Sequence, residues 1–161
     1  MTDWTALASQ AAQAARTFAE AAQQRVAAAI APGGKIDPAL ADKEQRLVHG
    51  FAWIATTAEA LAATADWAAR AKQHGRYGEI EELTLRVGFG EYLAQLLGGV
   101  PMSQSELVRP GELGLQDAAS TLAADAAASQ FLREGNTAET RAALVKYLAE
   151  GAVPDESLDD E

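Results

Sequence analysis

The residue types that could run a reaction are sparse in this chain of 161 residues, which has two histidines and no cysteine. His49 and His74 stand 25 positions apart on what the periodicity below predicts to be one helix. At 1.5 Å per residue about 40 Å would separate them, so they cannot share a metal within one chain. Neither closes a Glu-x-x-His pair, because Arg46 stands three before His49 and Ala71 three before His74. The carboxylate di-metal bundle pattern is therefore missing. No thiol nucleophile exists, and no serine has a base that spacing can identify. Gly33-Gly34 and Gly88-x-Gly90 lack the strand-to-helix context that makes a phosphate cradle. His49, beside Gly50, is the most site-like single residue, weighed against a satisfied, partly buried histidine. Arg86 and Glu91 are charges in the most apolar helix. Arg86 either joins an internal ion pair or points outward, and buried pairs are weak evidence for stability or for function. The group Glu79, Glu81 and Glu82 suits a helix start, where the dipole favours negative charge. The expectation is a chain with no catalytic, cofactor-binding or metal-binding set of its own.

Composition narrows the partners. The net charge is −10, which disfavours a basic phosphate-binding face and so nucleic acid. Hydrophobic residues make up 48% and aromatics only 6%, so a core must rest on a few large side chains among many alanines. The missing cysteines exclude disulfide and thiolate-zinc architectures and leave a reducing, cytoplasmic setting unopposed. The start, MTDWTALASQ, lacks a basic segment followed by a long apolar run, so no signal peptide is expected. No apolar stretch reaches the ~18 residues that a membrane span needs.

The elements that would position these residues read as helices throughout. A first helix is expected from about Asp3 to Ile30, capped by Thr2 or Asp3, with Leu7, Ala11, Ala14, Phe18 and Ala21 inward. Pro32-Gly33-Gly34 ends it. The central helix is expected to run from Asp37, a good cap with Pro38 after it, to His74 before Gly75. Leu47, Phe51, Ile54, Ala58, Leu61, Ala65 and Ala68 step by threes and fours down one face. The small residues of its second half should let a neighbour come close. Gly50 costs about 1 kcal/mol inside a helix, which a close backbone contact would justify. Trp53 and Trp67 fall off the stripe and either extend the core or face a partner.

A third helix is expected from about Glu79 to Leu97, with Gly88 and Gly90 marking either a crossing point or a place where something approaches the backbone. Gly98-Gly99 and Pro101 stop it. The stretch 100–114 is long for a connection in a helical domain, and is either an interfacial loop or a plain crossover. Ser103 to Glu106 within it reads as one capped turn. A fourth helix is expected from about Leu115 to Glu134. A fifth is expected from Thr137 to Glu150, opened by an Asn136–Glu139 capping box and burying Leu144, Val145 and Leu148. The residues after Val153 are acidic and read as a tail or linker. The expected fold is all-α: an antiparallel bundle of four to five helices with one long central helix, in a single domain over 1–153.

Two segments carry a family resemblance. QRLVHGFAWIATTAEAL from Gln45, and GFGEYLAQLLGGVPMSQSELVRPGELGL from Gly88, resemble the N-terminal extension of methylsuccinyl-CoA dehydrogenases, flavoproteins of the acyl-CoA dehydrogenase superfamily. The likeness runs from about residue 36 to 114 and more loosely from 121 to 150. HGFAW, GFGEYL and GGVPMSQ are specific as words and are not catalytic motifs. The resemblance implies an enzyme whose downstream domain oxidises (2S)-methylsuccinyl-CoA to mesaconyl-CoA in the ethylmalonyl-CoA pathway. A glutamate there takes the alpha proton and FAD takes the hydride. None of those active-site residues has a counterpart here.

What the resemblance implies for this chain is a helical accessory domain or subunit, partnered with an acyl-CoA dehydrogenase domain or subunit and serving docking, assembly or active-site access. It fits an excised domain and a separately encoded protein equally. Candidate contact residues are Phe89, Tyr92, Met102, Ser103, Gln104 and Arg109. The alternative is a free-standing helical interaction module, or a homo-oligomer paired through the alanine stripe and the off-stripe tryptophans.

Overall fold

Asp3 opens the first helix as its chemistry predicts. Its carboxylate accepts from the Ala6 N–H at 3.2 Å and from the Thr5 hydroxyl at 2.7 Å, satisfying donors that a helix start leaves without partners. The computed structural model describes residues 2–154, and α1 runs Trp4–Ile30. Lys72 adds its ammonium to Asp3 at 2.9 Å. The Thr5 hydroxyl foremost, then Lys72 and the Ala6 N–H, hold the Asp3 carboxyl well below its ordinary value of 3.8. A carboxyl depressed in the folded state adds stability that is complete above its unfolded pKa of about 4 and fades as pH falls below it. The side chain is half exposed, so solvent screens part of the gain. Asp3→Ala should lose the roughly 1 kcal/mol of a helix cap at neutral pH. The gap to the parent protein should narrow between about pH 4 and pH 2 in thermal melts. A gap that stays constant would remove the charge from the explanation.

The central helix is two helices. A short α2, Pro38–Lys43, is followed by α3, Gln45–Gln73. Asp37 caps α2 through the N–H groups of Ala39 and Leu40, as expected. Glu44 leaves helical geometry between them. The break, which no Pro or Gly marks, lets Leu40 and Ala41 turn onto the core. Along α3 the expected stripe is buried at Leu47, Ile54, Ala58, Leu61, Ala65 and Ala68, while Phe51 is half-buried. Gly75, with φ +69°, follows the end of the helix.

Helix α1 lies antiparallel on α3. Asp3 pairs with Lys72 near one end, and Arg16 lies 3.4 Å from Glu59 further along. Between these links the seam is made of methyl groups: Ala8, Ala11, Ala12 and Ala15 from α1, and Ala58, Ala62, Ala65 and Ala68 from α3, all buried. Ala11 and Phe18 of α1 are buried as expected, whereas Leu7, Ala14 and Ala21 are half-buried, so the inward face is turned toward Trp4, Ala8 and Ala15.

Helix α4, Glu79–Gly98, is the inner element. Its start uses the acidic group: the Glu81 carboxylate reaches back to accept the Gly78 N–H at 2.8 Å. Leu83, Leu85, Phe89, Leu93 and Leu96 are buried. After Gly99 the chain forms a two-stranded antiparallel ribbon, β1 Val100–Pro101 with β2 Leu107–Val108, pairing Val100 with Val108. The expected capped turn at Ser103–Glu106 is instead the ribbon's connection, in which the Met102 N–H donates to the Glu106 carbonyl at 2.9 Å. A 3-10 turn follows at Pro110–Leu113. The ribbon explains Gly50. A Cβ there would stand 2.8 Å from Val108 Cγ2 and 3.3 Å from Leu113 Cδ1, so the glycine admits the 100–114 segment against α3.

The expected fourth helix is also two, α5 Gln116–Ala124 and α6 Ala126–Glu134. Asp125 is extended between them, and its carboxylate caps α6 through the Ala128 N–H at 2.9 Å. An aspartate favours capping over helix interiors because its short side chain competes for backbone donors. The break brings Ala127 and Ala128 inward and leaves Ala126 exposed. The last helix, α7 Ala138–Ala149, is capped by Thr137, which accepts from the Thr140 N–H. The expected Asn136–Glu139 box does not form. Asn136 instead donates to Glu91 on α4 at 2.8 Å. Breaks at Glu44 and Asp125 thus raise the expected four to five helices to seven among the described residues, within an otherwise all-α bundle. The expected acidic tail lies, apart from Pro154, outside the described residues.

Candidate partner interface

The six residues expected at a partner contact do not form one surface. Phe89 is fully buried and stacks on Phe131 at 4.7 Å between ring centres. It is core, which corrects its place among the contact residues. Its flanking glycines differ. A Cβ on Gly88 would meet nothing within 4 Å, while one on Gly90 would stand 2.6 Å from the Asn136 backbone nitrogen. The crossing point is Gly90, where α4 meets the turn between α6 and α7.

Tyr92 is exposed on α4. Met102 is half-buried, and Ser103, Gln104 and Arg109 are exposed on the 100–114 segment. Arg46 of α3 holds that segment in place. Its guanidinium donates to the Leu107 carbonyl at 2.9 Å and to Glu112 at 2.7 Å, and lies 3.7 Å from Glu106. Arg109 lies 3.4 Å from Glu112. Arg46 first, then the Arg109 N–H, keeps the Glu112 carboxyl below its ordinary range. The segment is therefore tied down by charge-assisted bonds, the stronger kind of hydrogen bond.

Beside it lies an open cavity of about 660 Å³ where His49, Arg46, Met102 and Glu106 meet. His49 Nε2 accepts from the indole N–H of Trp53 one turn on, at 3.0 Å. His49 is exposed, not partly buried as the alternative reading had it, and its Nε2 is engaged by its own helix. Trp53 is 38% exposed and is not core, while Trp67 packs half-buried. The i,i+4 spacing of His49 and Trp53 was visible in the sequence and is the signal for this pair. Among the described residues no three of His, Asp and Glu converge as metal ligands.

Arg86 is internal. It sits 4.5 Å over the Trp4 ring, donates to the Glu134 carbonyl at 2.9 Å, and lies 3.4 Å from the Thr140 hydroxyl. It ties α1, α6 and α7 to α4. Nearby, burial foremost pushes the Tyr77 phenol above its usual range.

The 660 Å³ groove between α1 and α5 is walled by Ala14, Ala21, Ala118 and Leu122, with Gln10, Gln13 and Thr17 beside them. Asp125 is its one charge.

With this geometry in place, comparison with known proteins gives the chain a context. It is similar to the (2S)-methylsuccinyl-CoA dehydrogenase of Cereibacter sphaeroides. The two are 35% identical over 146 residues, which is 91% of this chain and 26% of that enzyme. The chain therefore corresponds to about a quarter of that relative's length, and the similarity extends well beyond residues 36–114. No protein-family model matches the chain. No helix among the described residues is long and apolar enough to cross a membrane.

Proposed function

We propose that this chain is a non-catalytic helical accessory domain or subunit of a cytoplasmic acyl-CoA dehydrogenase-type flavoenzyme, methylsuccinyl-CoA dehydrogenase-like and serving the ethylmalonyl-CoA pathway. One observation carries the reading: nearly the whole chain aligns at 35% identity with a dehydrogenase of which it spans only 26%. The most economical account is a helical unit, residues 1–153, joined by an acidic linker to the N-terminal side of a dehydrogenase body or assembled with it. The chemistry, oxidation of a methylsuccinyl-CoA-like thioester by FAD, would belong to that body.

The largely apolar lining of the α1–α5 groove does not suit a flavin dinucleotide. The α1–α5 groove offers no cation for a pyrophosphate, and Asp125 would repel one. The role left to this chain is docking, assembly or shaping access to the active site. Tyr92, Met102, Ser103, Gln104 and Arg109 remain candidate contacts for it.

Affinity purification of the tagged protein from its own cells tests the reading. The expected result is an acyl-CoA dehydrogenase polypeptide identified by mass spectrometry, with flavin absorbance in the purified complex. A homogeneous species of this chain alone, without flavoprotein, would favour a free-standing or self-pairing module.

A further inference from the structure

Helix α7 is built inside out. Its inward side is held by polar anchors: Thr140 is buried, and the Tyr147 hydroxyl donates to Glu79 of α4 at 2.6 Å, while Leu144, expected to be buried, is half-buried between them. With the Asn136–Glu91 bond, these links lay α7 antiparallel along α4. Its outward stripe is apolar. Val145 is 61% exposed and Leu148 50%, the reverse of the expected burial, and Val153 just beyond is also exposed. A surface helix in a finished fold turns its apolar stripe inward. Here the polar stripe is already engaged, so rotating α7 to bury Val145 and Leu148 would break its bonds to α4.

We infer that the outward face of α7 is the surface on which the dehydrogenase body docks. The inference rests on the accessory-domain reading. The occupant follows from the missing mass. The similar enzyme carries about three quarters of its length outside the aligned region, and α7 with Val153 presents an uncovered apolar stripe at the last described element. Interface centres are depleted in charge and more apolar than the surface around them. Arg141, four before Val145 and seven before Leu148, lies on the same face and ends the stripe with a charge that would fall at a polar rim.

The test places a photo-crosslinking amino acid at Val145, at Leu148 and, as an exposed apolar control away from α7, at Ile36, in the full chain in its own cells. The expected crosslinks run from 145 and 148 to an acyl-CoA dehydrogenase polypeptide, whether separate or continuous with this chain, and are absent from 36. Val145→Lys with Leu148→Lys should abolish dehydrogenase co-purification. The melting temperature of the isolated chain should change little, since both side chains are already at least half exposed. Crosslinks from α7 to a second copy of this chain would overturn the inference in favour of self-pairing. Recovery of the dehydrogenase with crosslinks only from 36, or undiminished by the double variant, would overturn the surface and leave the parent reading standing. If no dehydrogenase is recovered at all, the parent reading falls and this one with it.

Discussion

Phe89→Ala should be among the most destabilising single changes in this protein, and its effect should be on folding. The ring is fully buried, stacks on Phe131 at 4.7 Å, and through Phe131 meets Trp4 at 5.0 Å. This aromatic row joins α4, α6 and α1. Truncating a buried phenylalanine removes its transfer free energy and leaves a cavity, together about 3–5 kcal/mol. For a domain of this size that corresponds to a melting temperature lower by on the order of 10 °C. Phe89→Leu should lose less, because most of the volume is kept. If Phe89 were instead a docking residue, Phe89→Ala would melt like the parent and lose only its partner. Calorimetry of the variant alone therefore separates the two roles.

Gly90→Ala and Gly88→Ala should move stability in opposite directions, although the positions are two apart in one helix. A methyl on Gly90 would stand 2.6 Å from the backbone nitrogen of Asn136 and 2.8 Å from its Cβ. A backbone atom in a packed turn cannot step aside as a side chain can. Gly135 reinforces the point, because its own absent Cβ would stand 3.3 Å from the Gly90 Cα. The clash should cost about 3 kcal/mol, the upper part of the usual range for overpacking. The gain in helix propensity from Gly to Ala, about 1 kcal/mol, offsets part of it. The net loss is about 2 kcal/mol, or about 4–8 °C in Tm. At Gly88 nothing lies within 4 Å, so only the propensity gain acts and Tm should rise by about 2–4 °C. Equal shifts at both positions would show that α4 does not meet the α6–α7 turn at Gly90.

Much of this architecture was legible in the residues, and what was not has physical causes. Caps and stops read well: Asp3, Asp37 and the acidic start of α4 act through local chemistry that three or four residues specify. The stripe of α3 read well because large residues at steps of three and four leave little choice of face. The breaks at Glu44 and Asp125 did not. Asp125 carries a capping signal hidden in an alanine run, and Glu44 carries none, so only packing of Leu40 and Ala41 explains that interruption. The ribbon at 100–108 was missed because two-residue strands have no periodicity to detect.

The candidate surface was legible in part. Ser103, Gln104 and Arg109 are exposed, as a loop predicts. Phe89 failed because flanking glycines signal close approach without saying whether backbone or ligand approaches. Val145 and Leu148 failed more instructively. An amphipathic helix announces which residues share a face, but its apolar side turns inward only if nothing stronger holds the other side. Here the Tyr147–Glu79 bond and the Arg86–Thr140 contact do.

The methyl-lined seam between α1 and α3 has one further consequence. Alanine has no rotamers to freeze, so closing the seam carries little side-chain entropy cost. For the same reason its alanines offer few knobs to stop one helix sliding along the other, Leu61 of α3 being the large side chain buried among them. Asp3 with Lys72 and Arg16 with Glu59 sit thirteen residues apart on both helices, like two pegs in matching holes. Both pairs are largely exposed, so each biases the alignment only weakly, and high salt should remove that bias while leaving the aromatic centre intact.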